Sequence, residues 1–411
     1  MGDLSAAPTF QQMWQELLPV GRDGRTGGYR RFAWDDADRQ CREWFEAQAQ
    51  SRGMDVETDR NGNQWAWWGD ADAGDALVLG SHLDSVPDGG AYDGPLGVVS
   101  AYATVDALRA AGITPTRPLA VTSFADEEGA RFGIACTGSR LLTGSLDPDT
   151  ARGLRDREGQ TLAEVLAGAG RDPAYLGRDD AMLARIGTFV ELHVEQGRAL
   201  VDHGEPVGVA SAIWPHGRWR FDFTGQANHA GTALMEDRRD PMLTYAMTAL
   251  AANKQARLAG ARATFGRVEV RPNATNAIPS RVLAWLDARA ADPSVLSELV
   301  DVVARRAVDR AARDGTAVEV SAESETGAVV FEEGLRDRLT ATLGGVPVLS
   351  TGAGHDAGVL AAAGVESAML FVRNPTGVSH SPYEHAELDD CLAGVAALTS
   401  VVTHLGASGA A

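Results

Sequence analysis

The segment GSHLDSVPDGGAYDGPLGV, which starts at Gly80, holds one imidazole and three carboxylates among five glycines. Such a loop can cradle a phosphate, bind a metal or simply turn a corner. It lacks both GxGxxG and GxxxxGK[ST], the patterns of the phosphate case. His82 offers a ring nitrogen, and Asp84, two residues on, projects to the same side of an extended chain. That spacing suits a carboxylate that fixes the imidazole tautomer. Asp93 lies beyond the Gly89-Gly90 turn and can swing to the same point. Glu127 and Glu128, in FADEEGARFG, diverge in an extended chain, so one can bind a metal while the other reaches a bound water. His193, in ELHVEQG, and His380, in SHSPYEH, complete a set of three imidazoles and two or three carboxylates. Mixed nitrogen and oxygen ligands suit zinc, manganese or similar divalent ions. Taken singly, His82 reads as a core histidine, Glu127-Glu128 as a solvated helix start and Arg289 as a surface charge. Their joint occurrence at the ends of separate strands argues for chemistry.

Those residues need elements to carry them. Residues 75–84, 117–128 and 188–197 each read as a buried strand running into a polar tip. Between the first two, LGVVSAYATVDALRAAG reads as a helix that stops at Gly112. This βαβ rhythm predicts an α/β fold with a mostly parallel sheet and helices on both faces. Ligands of such sheets gather outside the carboxyl ends of the strands. From Trp214 the pattern changes. GRWRFDFTG (217–225) alternates strictly, placing Trp219, Phe221 and Phe223 on one face. Helices at about 240–258 and 293–313, with strand-like runs after each, give the order β-α-β-β-α-β of an inserted ferredoxin-like α+β module. The expected division is 1–212 and 327–411 for a catalytic domain, with 213–326 as a lid and dimerisation domain. Trp65, Trp67 and Trp68 read as packing residues, and His203, His216 and His404 match no motif.

The chain has 411 residues, more than one core usually supports, so two domains are expected. Hydrophobic residues are 44% and charged residues 23%, a folded rather than disordered balance. A formal charge of −19 argues against nucleic-acid binding, which needs a positive footprint. Cys41, Cys136 and Cys391 form no CxxC and suit reduced thiols. No secretory signal is read at the N-terminus, and no apolar run approaching the roughly 18 to 20 residues of a bilayer span. The expectation is a soluble cytoplasmic protein, off the membrane, acting on a small molecule. The closing GASGAA reads as disordered.

The motifs H-x-D, GGAYDGPLGV, FADEEGARFG, ELHVEQG, GQANHAGT, NAIPSR, TGAGHDA and SHSPYEH run in this order along almost the whole chain. Together they resemble the M20-type dinuclear metallo-amidohydrolases. Within that group the chain is most similar to the hydantoinase/carbamoylase branch, which includes N-carbamoyl-L-amino acid hydrolases, β-ureidopropionases and allantoate amidohydrolases. His193, where the peptidase branches usually carry an acidic ligand, points the same way. The resemblance implies two divalent ions per subunit, zinc first, with manganese, cobalt or nickel as alternatives. It implies His82, Asp93, Glu128, His193 and His380 as ligands, Asp93 bridging, with Asp84 assisting and Glu127 as general base. SHSPYEH offers both His380 and His385; the S-H-x-P-x-E pattern, ending here on Glu384, selects His380. His229 in the lid would reach the neighbouring subunit's active site and stabilise an oxyanion. Asn276 and Arg289 would hold the substrate carboxylate, helped by Gln196 and the backbone of Gly352, Ala353 and Gly354. The implied protein is a homodimer, paired through its lids. The implied activity is hydrolysis of N-carbamoyl-L-amino acids, then of allantoate or ureidoglycolate, and third of N-acyl amino acids or peptides. A metal-dependent binding protein without catalysis is the reading from another class, and the presence of Glu127 counts against it.

Overall fold

The computed structural model describes residues 9–407, so residues 408–411 of the GASGAA tail lie outside the described chain. Fifteen strands occur among the described residues. In chain order they are β1 (Asp55–Thr58), β2 (Gln64–Trp68), β3 (Ala76–His82), β4 (Leu119–Phe124), β5 (Ile186–Val194), β6 (Val207–Ile213), β7 (His216–Thr224) and β8 (Asn228–His229). There follow β9 (Arg262–Arg271), β10 (Ala277–Ile278), β11 (Arg281–Arg289), β12 (Ala317–Thr326), β13 (Val329–Val330), β14 (Val348–Thr351) and β15 (Glu366–Val372). The chain divides into two compact units, one of residues 1–211 with 330–411 and the other of residues 212–329.

The first unit is built on a nine-stranded sheet in the order β1-β2-β4-β3-β5-β15-β6-β13, with β14 paired to β6. Its centre, β4-β3-β5-β15, is parallel, while β2 and β6 flank it antiparallel. Every residue of β3 is buried, which is why ALVLGSH reads as a near-continuous apolar run. On β5, Val190, Leu192 and Val194 join the core that the helices Pro95–Ala110 and Leu388–Ala407 complete. Glu191, of opposite parity, accepts a bond from Ala357 N at the start of the helix Asp356–Ala362. Helices therefore cover both faces. Parallel strands deliver their carboxyl ends to one edge, and His82, Phe124, His193 and Phe371 lie there in register.

The helix Leu388–Ala407 contains a 19-residue stretch, Leu388–Gly406, long and apolar enough by composition to cross a membrane. Its apolarity serves the core instead: Cys391, Ala397, Leu398, Val401, Val402 and Leu405 are buried. Each of the leucines and valines among them contributes about 1.5–3 kcal/mol on burial.

The second unit holds a four-stranded antiparallel sheet, β12-β7-β11-β9, with the helices Pro241–Ala259 and Pro293–Asp314 following β7 and β11. That is the ferredoxin-like order. Trp219, Phe221 and Phe223 are buried, and the Arg and Asp residues between them are not, as alternation requires. Both helices start on an aspartate whose side chain accepts a backbone N–H, Asp240 from Met242 and Asp292 from Ser294, with proline next in the chain. The short pair β8-β10 sets His229 opposite Ala277.

Candidate active site

The geometry turns on Asp93. Its Oδ1 lies 3.6 Å from His82 Nε2 and 3.2 Å from His193 Nε2. Its Oδ2 lies 3.3 Å from His380 Nε2, which is in turn 3.5 Å from Glu128 Oε2. One carboxylate thus faces two clusters, His82–Asp93–His193 and Asp93–Glu128–His380. The loop reaches this point because two of its glycines cannot be replaced cheaply. Gly94 has a left-handed φ of +85°, and a Cβ there would stand 2.5 Å from the His82 ring. A Cβ on Gly90 would meet Glu384 at 2.3 Å. Glu384 fixes the loop by accepting Tyr92 N and Asp93 N, both at 2.9 Å.

The rings are oriented by backbone. His82 Nδ1 donates to Asp84 O at 3.1 Å, and His193 Nδ1 donates to Val194 O at 2.9 Å. A carbonyl only accepts, so each neutral ring presents an Nε2 lone pair to Asp93. Both Nε2 atoms are buried without a hydrogen-bond partner. Two orphaned lone pairs and a shared carboxylate oxygen are what a cation among them would satisfy, so the residues fit a metal.

The electrostatics agree. Burial alone would lower the pKa of His82, but the carboxylates of Glu127, Asp84 and Asp93 outweigh it and raise it well above the usual range. Burial would raise that of Asp93, yet His193, His380 and His82 hold it well below. His380 is pushed up to about 9, because Asp93 and Glu128 overcome its burial. Burial lifts Glu128 to about 7, with Asp93 adding and His380 opposing. Glu127 is raised well above its ordinary value by burial, against the pull of His82. The site is an excess of buried negative charge that favours positive charge.

Three sequence expectations shift in detail. The Asp84 carboxylate does not principally hold the His82 ring, whose Nδ1 is 3.5 Å from Oδ1. It accepts the backbone N–H groups of Glu127 at 3.1 Å and Glu128 at 3.0 Å. The tautomer falls to the Asp84 carbonyl, which lies closer to the ring. Glu127 and Glu128 diverge from a bend after left-handed Asp126 (φ +54°), not from extended strand. Glu127 Oε2 lies 3.7 Å from His82 Nε2, on the side of the first cluster. Gln196 donates its amide to Asp93 Oδ2 at 2.9 Å, where Ser379 Oγ also donates at 3.1 Å. His385 pairs with Glu387 at 3.1 Å and belongs to neither cluster around Asp93.

Some residues escaped the sequence reading. Glu191, two before His193 and so on the same strand face, accepts Ser81 Oγ at 2.7 Å and Ala357 N at 3.0 Å. His355 is buried, with both ring nitrogens unpartnered and its ring centroid 4.5 Å from that of His193. Glu191, His193 and His355 form a third group able to hold a metal. Period-two spacing points to Glu191; His355 stands in TGAGHDA directly after Gly352, Ala353 and Gly354, and no spacing signal marks it. Ala353 N in that loop donates to Thr351 Oγ1 at 3.0 Å.

In the second unit His229 and Asn276 are neighbours, since Ala230 N donates to Asn276 O at 3.0 Å. His229 Nδ1 accepts Gly231 N at 3.0 Å, which leaves the ring proton on Nε2. Arg289 closes the opposite end of β11 from Arg281, a strand about 26 Å long at its ordinary rise. There it grips Asp287 with Nε at 2.8 Å and Nη2 at 3.0 Å.

Residues 78–404 match the family described as Peptidase family M20/M25/M40. An N-carbamoyl-L-amino acid amidohydrolase of Geobacillus stearothermophilus is 35% identical over 407 residues, 96% of this chain and 98% of that one. An allantoate amidohydrolase of Escherichia coli (strain K12) is 30% identical over 415 residues, again 96% and 98%. The crystal structure of an amidase of the hydantoinase/carbamoylase family from Burkholderia vietnamiensis matches with a TM-score of 0.87 at 28% identity, over 98% of each chain. The chain belongs to the M20/M25/M40 peptidase family. Within it the protein is an amidohydrolase of the hydantoinase/carbamoylase type.

Proposed function

We propose that the protein hydrolyses N-carbamoyl-L-amino acids, cleaving the ureido C–N bond to release ammonia, carbon dioxide and the amino acid. The observation that carries a hydrolytic reading is the two-sided Asp93, with Glu127 beside the first cluster. Two divalent cations held by His82, Asp93, His193, Glu128 and His380, zinc first among the candidates, would lower the pKa of a shared water and polarise the scissile carbonyl. Glu127 takes the water's proton as the carbonyl is attacked and returns it to the leaving nitrogen. Its pKa, raised by burial against the pull of His82, makes it a stronger base than a free carboxylate. Gln196 and Ser379 hold Asp93 in place, and the Asp84 carboxylate holds the bend that carries Glu127.

Arg289 meets the substrate's α-carboxylate with its planar fork. The backbone of Gly352, Ala353 and Gly354 is a further candidate to bind the substrate. The Nε2 proton of His229 serves the oxyanion, with Asn276 beside it. The exposed Leu243, Met247, Leu250 and Leu258 of the helix Pro241–Ala259 support a homodimer paired through residues 212–329, with the site completed by a second subunit. The substrate choice leans on the 35% identity to the Geobacillus enzyme. Allantoate is the second reading, supported by the 30% identity to the Escherichia coli enzyme over an equal share of the chain. Ammonia release from N-carbamoyl-L-amino acids and allantoate, set beside free amino acid release from N-acetyl amino acids, decides, with metal content measured on the same preparation. Turnover of the carbamoyl series above the others is expected, and preferred turnover of allantoate would replace the first reading with the second.

A further inference from the structure

A general base must present one oxygen to the reacting water, and a carboxylate is free to rotate unless its other oxygen is held. Glu127 Oε2 looks toward His82. Its Oε1 points the other way and accepts the thiol of Cys136 at 3.4 Å. That contact is built by a loop folded back on itself. Cys136 N donates to Glu127 O at 2.6 Å, Thr137 N to Asp126 O at 3.0 Å and Gly138 N to Ala125 O at 2.8 Å. Asp126 (φ +54°) and Cys136 (φ +56°) are both left-handed. Left-handed backbone favours glycine, and such conformations persist where the surroundings impose them, often at functional sites. At Cys136 the chain keeps a side chain all the same, and that side chain touches Glu127. The residue is buried, and burial, with Glu127 and Asp356 adding, keeps its thiol protonated and so able to donate.

We propose that Cys136 is a positioning residue for the reaction: its S–H holds Oε1 of Glu127 so that Oε2 faces the ligand cluster. It acts on turnover and takes no part in metal or substrate binding. The proposal rests on the reading of Glu127 as the base. The competing account is that Cys136 is a small buried apolar group that merely fills space.

The two differ in which replacement is tolerated. Cys136→Ser keeps a donor and Cys136→Ala removes it. Cys136→Gly also removes it while relieving the left-handed backbone, which keeps the comparison usable if the alanine variant folds poorly. Metal content, kcat and KM would be measured for all three, per folded molecule, beside Glu127→Gln. A bond to a charged carboxylate predicts a fall in kcat of about five- to thirtyfold for Ala and Gly. KM should stay within about twofold, metal content should be unchanged, and Ser should recover most of the loss. A filler role predicts the reverse order, Ala tolerated and Ser not, with the cost in melting temperature and not in kcat. Wild-type kcat in Cys136→Ala, or a serine variant no better than alanine, overturns the proposal. Full activity in Glu127→Gln overturns the base itself, whatever the cysteine variants do.

Discussion

At the scale of single residues, the site separates ligands from the base. Glu127→Gln preserves shape and leaves the two clusters around Asp93 intact, so it should keep its metal and lose about 10²–10⁴-fold in kcat. Wild-type turnover in that variant would remove Glu127 from the chemistry. His380→Ala and His385→Ala should divide cleanly by metal analysis. The first takes away a ring nitrogen within 3.5 Å of Asp93 and Glu128, and the second one that pairs with Glu387. Metal should be lost only from the first; loss from the second instead would transfer the ligand role to His385. Arg289→Ala should raise KM for substrates carrying an α-carboxylate, at a cost of about 2–5 kcal/mol if the pair is desolvated. Equal loss on uncharged amides would reduce Arg289 to a structural partner of Asp287.

At the scale of elements, strand ends and the turns that follow them set the positions. Asp84 sits just past β3 and ties the bend after β4 through two backbone N–H groups. Asparagine there keeps one acceptor oxygen and puts an amide against the second N–H. Asp84→Asn should therefore cost about 1–3 kcal/mol in a urea unfolding experiment and lower kcat, because the bend carries the base. On β11, burial would raise the pKa of Asp287, but the bonds from Arg289 and the charge of Arg218 hold it below the usual carboxylate range. A depressed folded value gives stability that is present above the unfolded pKa, near 4, and is lost as pH falls through the folded one. The stability gap between wild type and Asp287→Asn should thus be constant from neutral pH down to about 5 and close below about 4. A gap that instead widens with acid would mean the pair does not hold Asp287 ionised.

At the scale of the whole molecule, the helix Pro241–Ala259 is turned inside out for an ordinary surface helix. It meets its own unit with Thr244, Thr248, Ala252 and Ala256, all buried. Leu243, Met247, Leu250 and Leu258 are exposed, Leu250 by 66% and Leu258 by 73%. Beside it β9 is the edge of the sheet. An apolar face next to an open edge supports the pairing of two such units about a two-fold axis. Leu250→Glu with Met247→Glu should convert a dimer to a monomer in sedimentation, with loss of activity if His229 acts across the interface. Co-expressing His229→Ala with Glu127→Gln tests that directly. Random pairing makes about half the dimers mixed, each with one intact composite site, so activity should return to roughly a quarter of wild type. A verified mixed dimer without activity would confine His229 to its own subunit.

What the amino-acid sequence determined by itself is what short-range periodicity encodes. The unbroken apolar run of β3, the alternation of β7 and the order β-α-β-β-α-β are local patterns, since side chains repeat every two residues on a strand and every 3.6 on a helix. The ligand-type residues were visible for the same reason: parallel strands put their ends on one edge, and the candidates stand at those ends. Tertiary structure alone decided what depends on distant segments meeting. Glu384 holds the backbone of Asp93 across 291 residues, and Gln196 reaches that same aspartate across 103. Asp84 turned out to serve the bend of Glu127, 43 residues on, through a carboxylate that spacing alone had aimed at its neighbour His82. His355 came to rest against His193, and Ala230 beside Asn276. The helix Leu388–Ala407 has a composition that would suit a bilayer, and only its packing on the core shows where that apolar surface is spent. No periodicity carries such facts, because a contact between remote segments is set by how whole layers pack and not by the residues on either side of it.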